Sequence, residues 1–192
     1  MAEKITIMKK IEFFKESLKN LKTVGTITRS SKYLCKGMIK PVDFDKAKVI
    51  VELGAGDGVI TEHILKHMRK DCKLLAFEVN KKFCDQMRQI NDDRLIVIED
   101  TAEKLGEYLD KHNLGKADYV ISAIPFVSFP EELARSIIKT SKDHMKKNAL
   151  FIQVHYSLLT KKIYQSIFGN VDVSWVPLNI PPAFVLVSEK VS

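Results

Sequence analysis

A mostly parallel α/β fold follows from three features of this chain. Short apolar runs alternate with helical stretches from residue 49 onward. A glycine-rich turn follows the first run, and the last two runs stand too close together for a parallel crossover. The sheet is expected to hold seven strands, parallel except for a C-terminal antiparallel hairpin, with amphipathic helices ahead of it. With 192 residues the chain suits one compact unit, set at 41–192, preceded by a helical arm at 1–40.

Over residues 5–22, Ile7, Ile11, Phe14, Leu18 and Leu21 make one apolar stripe at helical spacing, widened by Ile5, Met8 and Phe13, and Gly25 ends the helix. A short helix follows Ser30 or Ser31 as N-cap, with Leu34 and Met38 on one face and Pro41 as its stop. Val49–Val51 is the first strand, followed by glycines and a helix carrying Ile60, Ile64, Leu65 and Met68. Leu74–Phe77, Leu95–Ile98, Tyr119–Ile121 and Leu150–Val154 are the next four strands, with helices through Phe83 and Met87, Leu105 and Leu109, and Leu133, Ile137 and Ile138 between them. Val171–Val176 and Phe184–Val187 close the chain. The few residues between them, including Pro177, Pro181 and Pro182, force an antiparallel pair, because a parallel connection needs about a dozen residues or more.

Hydrophobic residues make up 45% and charged residues 29% of the chain, which places it among globular proteins. No run reaches the roughly 18–20 apolar residues that span a bilayer, and the charged N-terminus is unlike a secretory signal, so a cytoplasmic location is expected. Cys35, Cys72 and Cys84 have no C-x-x-C spacing and read as buried thiols rather than a disulfide framework or a metal site. The net charge of +7 favours anionic partners. Lys4, Lys9, Lys10, Lys15, Lys19 and Lys22, against Glu12 and Glu16, concentrate it in the arm.

In a doubly wound sheet, ligands bind beyond the carboxyl ends of the strands, where the strand order reverses. The first strand there runs into Glu52-Leu53-Gly54-Ala55-Gly56-Asp57-Gly58, with G-x-G-x-G spacing. A dinucleotide fingerprint needs G-x-G-x-x-G, and its last position here is Val59. A pyrophosphate seeks bare N–H donors, whereas Glu52 and Asp57 suit a cation. S-adenosylmethionine, with its ammonium and sulfonium groups, is the expected ligand, and S-adenosylhomocysteine the product. Glu52, Gly54, Ala55, Gly56 and Gly58 are the expected cofactor contacts at the turn. Glu78, closing the second strand beside Val79, is placed to accept both hydroxyls of a ribose diol. Asp100 is placed to accept the adenine amino group, with Thr101 and Ala102 next to it presenting backbone to the ring.

The fourth strand ends in Ser122-Ala123-Ile124-Pro125-Phe126, beside the expected methyl group. A nitrogen acceptor must have its lone pair held in line with the departing bond, which backbone carbonyls and a short polar side chain can do. Ser122, Ile124 and Pro125 are therefore the expected acceptor-site residues, with Ser122 touching the cofactor as well. Here the sequence resembles the bacterial phospholipid N-methyltransferases, relatives of the rRNA adenine dimethyltransferases. Val24–Leu34 is similar to that family's leading segment, Ser122-Ala123-Ile124-Pro125 to its Ser-Gly-Leu-Pro, and Asn179-Ile180-Pro181-Pro182-Ala183 to its Asn-Leu-Pro-Pro-Ala. Ala123 in place of glycine is a departure that narrows the pocket by a methyl group. The resemblance implies a Rossmann-like class I methyltransferase acting on phosphatidylethanolamine, towards phosphatidylcholine, at the inner face of the membrane. It implies Arg29, Ser31, Lys32, Tyr33 and Phe126 as substrate contacts, and an anionic membrane surface as partner.

A basic helix with a Phe/Ile/Leu stripe can lie in a membrane interface or pack on the domain. A protonated amine has no lone pair, so something must remove its proton; Tyr156 and His155, after the fifth strand, are the candidates. Two other classes compete: an rRNA adenine N6-methyltransferase, in which Phe126 stacks a flipped base, and a non-catalytic binding module, against which the intact Glu52, Glu78 and Asp100 argue.

Overall fold

The computed structural model describes residues 30–191. Arg29 and the stripe over 5–22 lie outside them. Seven strands form one sheet in the order β3-β2-β1-β4-β5-β7-β6: β1 Val49–Leu53, β2 Lys73–Phe77, β3 Leu95–Ile98, β4 Ala117–Ser122, β5 Met145–His155, β6 Asp172–Val176 and β7 Ala183–Glu189. The described helices are α1 Lys32–Ile39, α2 Val59–His67, α3 Lys81–Met87, α4 Leu105–Lys111, α5 Glu131–Asp143 and α6 Lys161–Phe168. Short 3₁₀ turns stand at Ala102–Lys104 and Phe126–Ser128.

Every residue of β1 is buried, as a strand covered on both faces requires. Val51 and Leu53 face a cluster with Val120, Phe151, Ile137 and Tyr164 beneath α4, α5 and α6. Ile50 faces the opposite cluster with Leu34, Ile64, Ile121 and Ile152 beneath α1 and α2. The Ser31 hydroxyl caps α1, accepting the Leu34 N–H at 3.2 Å. The sequence groups this helix with the arm, yet its Leu34, Cys35 and Met38 are fully buried in the sheet's own core.

The expected hairpin is present, and the register adds a detail. β7 pairs antiparallel with both β5 and β6, so β7 alone runs against the rest. β1 lies between β2 and β4, where the order turns back, so its carboxyl end marks the ligand-binding edge. The loops after β5 and before β7 emerge at that same edge, because His155 pairs with Phe184 and Val176 with Ala183. No helix among the described residues is long and apolar enough to cross a membrane.

Candidate active site

The turn after β1 is held from two sides. The Gly54 and Ala55 N–H groups both donate to the Phe77 carbonyl, at 2.9 and 3.1 Å. Glu78 reaches back, accepting the Gly56 N–H at 2.8 Å with Oε2 and the Asn80 N–H at 2.8 Å with Oε1. Glu78 therefore ties the glycine turn to the end of β2, a duty that its expected contact with a ribose does not include. Gly54 has φ +73°, and a Cβ there would lie 3.0 Å from Ile124 Cγ1 and 3.3 Å from the Ile124 backbone nitrogen. The turn after β1 and the turn after β4 thus touch through the bare Cα of Gly54.

Glu52 is 1% exposed. Its Oε2 accepts the Thr61 hydroxyl at 2.6 Å, while Oε1 has no hydrogen-bond donor among the described residues. Burial pushes its pKa up to about 8, with the Thr61 hydrogen bond opposing that rise and the nearby Glu78 and Asp57 charges adding to it. A buried carboxyl with a spare oxygen beneath a glycine turn fits a ligand that brings N–H donors and positive charge, as the methionine moiety of S-adenosylmethionine does.

A cleft runs from this turn along the ends of β2 and β3, lined by Gly54, Glu78, Val79, Asp100, Thr101, Ala102 and Ile124 among others. Seven positions expected from the sequence thus share one cavity. Phe129, Leu133 and Ile137 form a further wall that the sequence reading assigns only to helix packing or leaves unmentioned. Asp100 is engaged here: Oδ1 accepts the Thr101 N–H at 2.8 Å, and Oδ2 accepts Lys104 Nζ at 2.8 Å and the Tyr108 hydroxyl at 3.0 Å. Its remaining lone pairs are available to an adenine edge only alongside these bonds.

On the acceptor side, Leu53, Ser122 and Gln153 stand in one row across β1, β4 and β5. Ser122 is fully buried, its Oγ accepting the Ile124 N–H at 3.3 Å. The Ile124 carbonyl accepts Gln153 Nε2 at 2.9 Å, and Gln153 Oε1 is buried without a donor among the described residues. Gln153 is the site residue the sequence reading misses. One polar residue in the otherwise apolar run Leu150–Val154 was its signal, because a buried amide is costly without partners.

Several expected roles are corrected by placement. Phe126, expected at the acceptor, is 1% exposed and packs edge-to-face on Phe129 at 6.0 Å within the core, so its ring offers no face to a substrate. His155 points under α6: it is buried, bonded to the Tyr164 hydroxyl at 2.8 Å, and lowered to about 4 by desolvation, so it stays neutral and turned away from Tyr156. Tyr156, the first residue past β5, packs against the opposite cluster, half-buried and hydrogen-bonded to the Asn179 side chain; burial raises its pKa. That rise opposes phenolate formation near neutrality, so Tyr156 is suited to orient an amine rather than to take its proton.

Asn179 is the knot of this region. Its Oδ1 accepts the Ser31 N–H at 3.4 Å, and its Nδ2 donates to the Pro181 carbonyl at 2.7 Å, beside the cis Ile180–Pro181 bond. It joins the start of α1, the end of β5 and the turn before β7. The Ser31 hydroxyl is occupied with its cap. Lys32 and Tyr33 are exposed, with Lys32 Nζ 5.3 Å from the Tyr33 ring centroid.

This strand order, with an acidic glycine turn at its switch point and carboxylates closing β2 and β3, defines an S-adenosylmethionine-dependent methyltransferase of the class I fold. The chain belongs to the methyltransferase small domain family, whose model matches residues 11–175. It is 29% identical to an ornithine lipid N-methyltransferase of Singulisphaera acidiphila over 90% of this chain and 89% of that protein. It is 24% identical to ribosomal RNA small subunit methyltransferase A of Thermotoga petrophila, over 62% of this chain and 44% of that protein. Among solved structures, magnesium protoporphyrin IX methyltransferase from Synechocystis with bound S-adenosylmethionine shares the fold. Its TM-score is 0.62 at 13% identity, covering 82% of this chain and 76% of that one.

Proposed function

We propose that this protein methylates the amine of a membrane lipid at the inner face of the membrane. Phosphatidylethanolamine is the headgroup carried by the sequence motifs, and an ornithine-type lipid is the neighbouring possibility. The observation that carries the reading is the likeness to a lipid N-methyltransferase along nearly the full length of both chains. The acceptor turn is consistent with it. Ser122, the Ile124 carbonyl and Gln153 offer neutral oxygens around a narrow, buried turn, which suits a nitrogen nucleophile.

When bound, S-adenosylmethionine supplies an electrophilic methyl group on a sulfonium. The chain's own residues do the rest. The glycine turn brings backbone close, Glu52 offers negative charge to an ammonium, and Glu78 keeps the turn in register. Gln153 fixes the direction of the Ile124 carbonyl, and Asn179 orients Tyr156. Among the described residues, none at the acceptor turn is suited to remove a proton from a lipid ammonium at neutral pH. Desolvation in this buried, uncharged turn favours the neutral amine instead, with the proton leaving to water. Turnover therefore rises with pH until the amine is neutral in solution.

The test is incubation with methyl-labelled S-adenosylmethionine and, separately, vesicles of phosphatidylethanolamine, vesicles of ornithine lipid, and ribosomal RNA. Label in either lipid supports the reading and names the headgroup. Label in RNA alone overturns it in favour of ribosomal RNA methylation, the class to which the Thermotoga relative belongs by name.

A further inference from the structure

Three segments meet at the edge of the sheet that carries the acceptor turn: the start of α1, the loop 156–160 after β5, and the turn 177–182 before β7. The Ser31–Asn179 bond and the antiparallel register of β5 with β7 bring them together. Their tips are apolar and exposed: Leu159 is 80% exposed, Leu178 62% and Ile180 81%. Trp175, paired with Phe184 in the row next to this edge, is 63% exposed on the outermost strand. Single exposed leucines are ordinary, but a group gathered along one edge of the sheet is not. Within the parts of these segments at the edge the charge has one sign. Residues 30–33, 156–162 and 177–183 contain Lys32, Lys161 and Lys162, and no Asp or Glu. All three lysines are exposed.

Apolar tips with lysines in the same segments, and an indole at the border, match the layers of an anionic bilayer: acyl chains, then interface, then phosphates. A nucleic acid would leave the leucines unmatched, and a neutral apolar protein groove would leave the lysines unmatched. We propose that these loops form the membrane-docking surface of the catalytic domain itself. Leu159, Leu178 and Ile180 enter the headgroup–acyl boundary of an anionic phospholipid bilayer, and the lysines pair with lipid phosphates. The acceptor turn then faces the bilayer, and a lipid amine reaches Ser122 without leaving the membrane. This inference rests on the lipid-amine reading and adds a contact distinct from the N-terminal stripe.

The chain has a single tryptophan, so Trp175 reports directly. The full-length protein is titrated with vesicles of phosphatidylethanolamine and phosphatidylglycerol. The expected result is a shift of emission to shorter wavelength and quenching by brominated acyl chains. The double variant Leu159→Glu, Leu178→Glu changes only exposed side chains, and is expected to bind these vesicles at least about tenfold more weakly. Its turnover on vesicles falls in parallel, while turnover on the same lipid in detergent micelles stays within about twofold of the parent. Unquenched Trp175, or a double variant that binds vesicles as the parent does, overturns the docking surface while leaving lipid methylation standing. Vesicle binding lost in the double variant, in a protein that methylates no lipid in vesicles or micelles, supports the surface and refutes the lipid-amine reading.

Discussion

The donor half and the acceptor half of the site are built by different means. On the donor side, four of the principal groups sit within five residues: Glu52, Gly54, Ala55 and Gly56 follow one another at the end of β1. One more strand supplies Glu78 to hold them. On the acceptor side, Ser122 comes from β4, Gln153 from β5, Tyr156 from the loop after β5 and Asn179 from the turn before β7, and the link from Asn179 to Ser31 spans 148 residues. The donor half presents buried carboxyls and bare backbone to a cation; the acceptor half presents neutral oxygens inside and apolar tips outside. A methyl donor common to many enzymes needs only the first. A particular acceptor is selected by the second, where the loops are free to differ.

Gly54 is where the two halves touch, so its replacement breaks both. Gly54→Val forces a side chain into a left-handed backbone position and against Ile124. Turnover should fall by about a thousandfold, with cofactor binding lost in titration calorimetry and the far-UV circular dichroism kept. Phe126 tests the border between acceptor and core. Phe126→Ala should lower unfolding free energy by about 3–5 kcal/mol in urea. Phe126→Leu should keep the KM for the lipid, and a large rise in that KM would return Phe126 to the acceptor.

Glu52 probes the donor half by charge. Its folded-state pKa of about 8 lies above the ordinary value of 4.5, so the native protein holds a proton that the unfolded chain releases between these values. Its contribution to stability is fully present below pH 4.5 and is lost as pH rises through 8, on the order of a few kcal/mol. Glu52→Gln should abolish that fall in a melting series from pH 5 to 9 (relative to the parent). It should also weaken S-adenosylmethionine binding about tenfold. Binding to the parent near pH 7 should release a proton, seen as a buffer-dependent calorimetric heat, and the variant should not show it. The smallest effect is expected at Asn179. Asn179→Ala should cost about 1–2 kcal/mol of stability and raise the KM for lipid severalfold, with cofactor affinity unchanged. A parallel loss of cofactor affinity would show that the two halves are not separable.

The seven strands were readable because each is a local run of β-branched and apolar residues bounded by glycine, proline or charge. The hairpin was readable because too few residues separate β6 from β7. The donor turn was readable for the same reason: its chemistry depends on neighbours in sequence. Phe126 misled because an aromatic beside Pro125 has the same local appearance whether its ring enters the core or a cavity, and only the packing of Phe129 decides. His155 and Tyr156 look equivalent as adjacent polar residues, until the last position of β5 sends one under α6 and the start of the following loop turns the other toward Asn179.

By itself, then, the sequence determined the α/β class, the strand count, the position of the donor turn and the sign of its charge, all properties of contiguous residues. Only the tertiary structure decided which way Gln153 and Tyr156 face, that Asn179 ties three distant segments together, and that scattered apolar residues gather at one edge. Those facts depend on pairing register and on contacts across the sheet, and side-chain direction alternates with every residue of a strand.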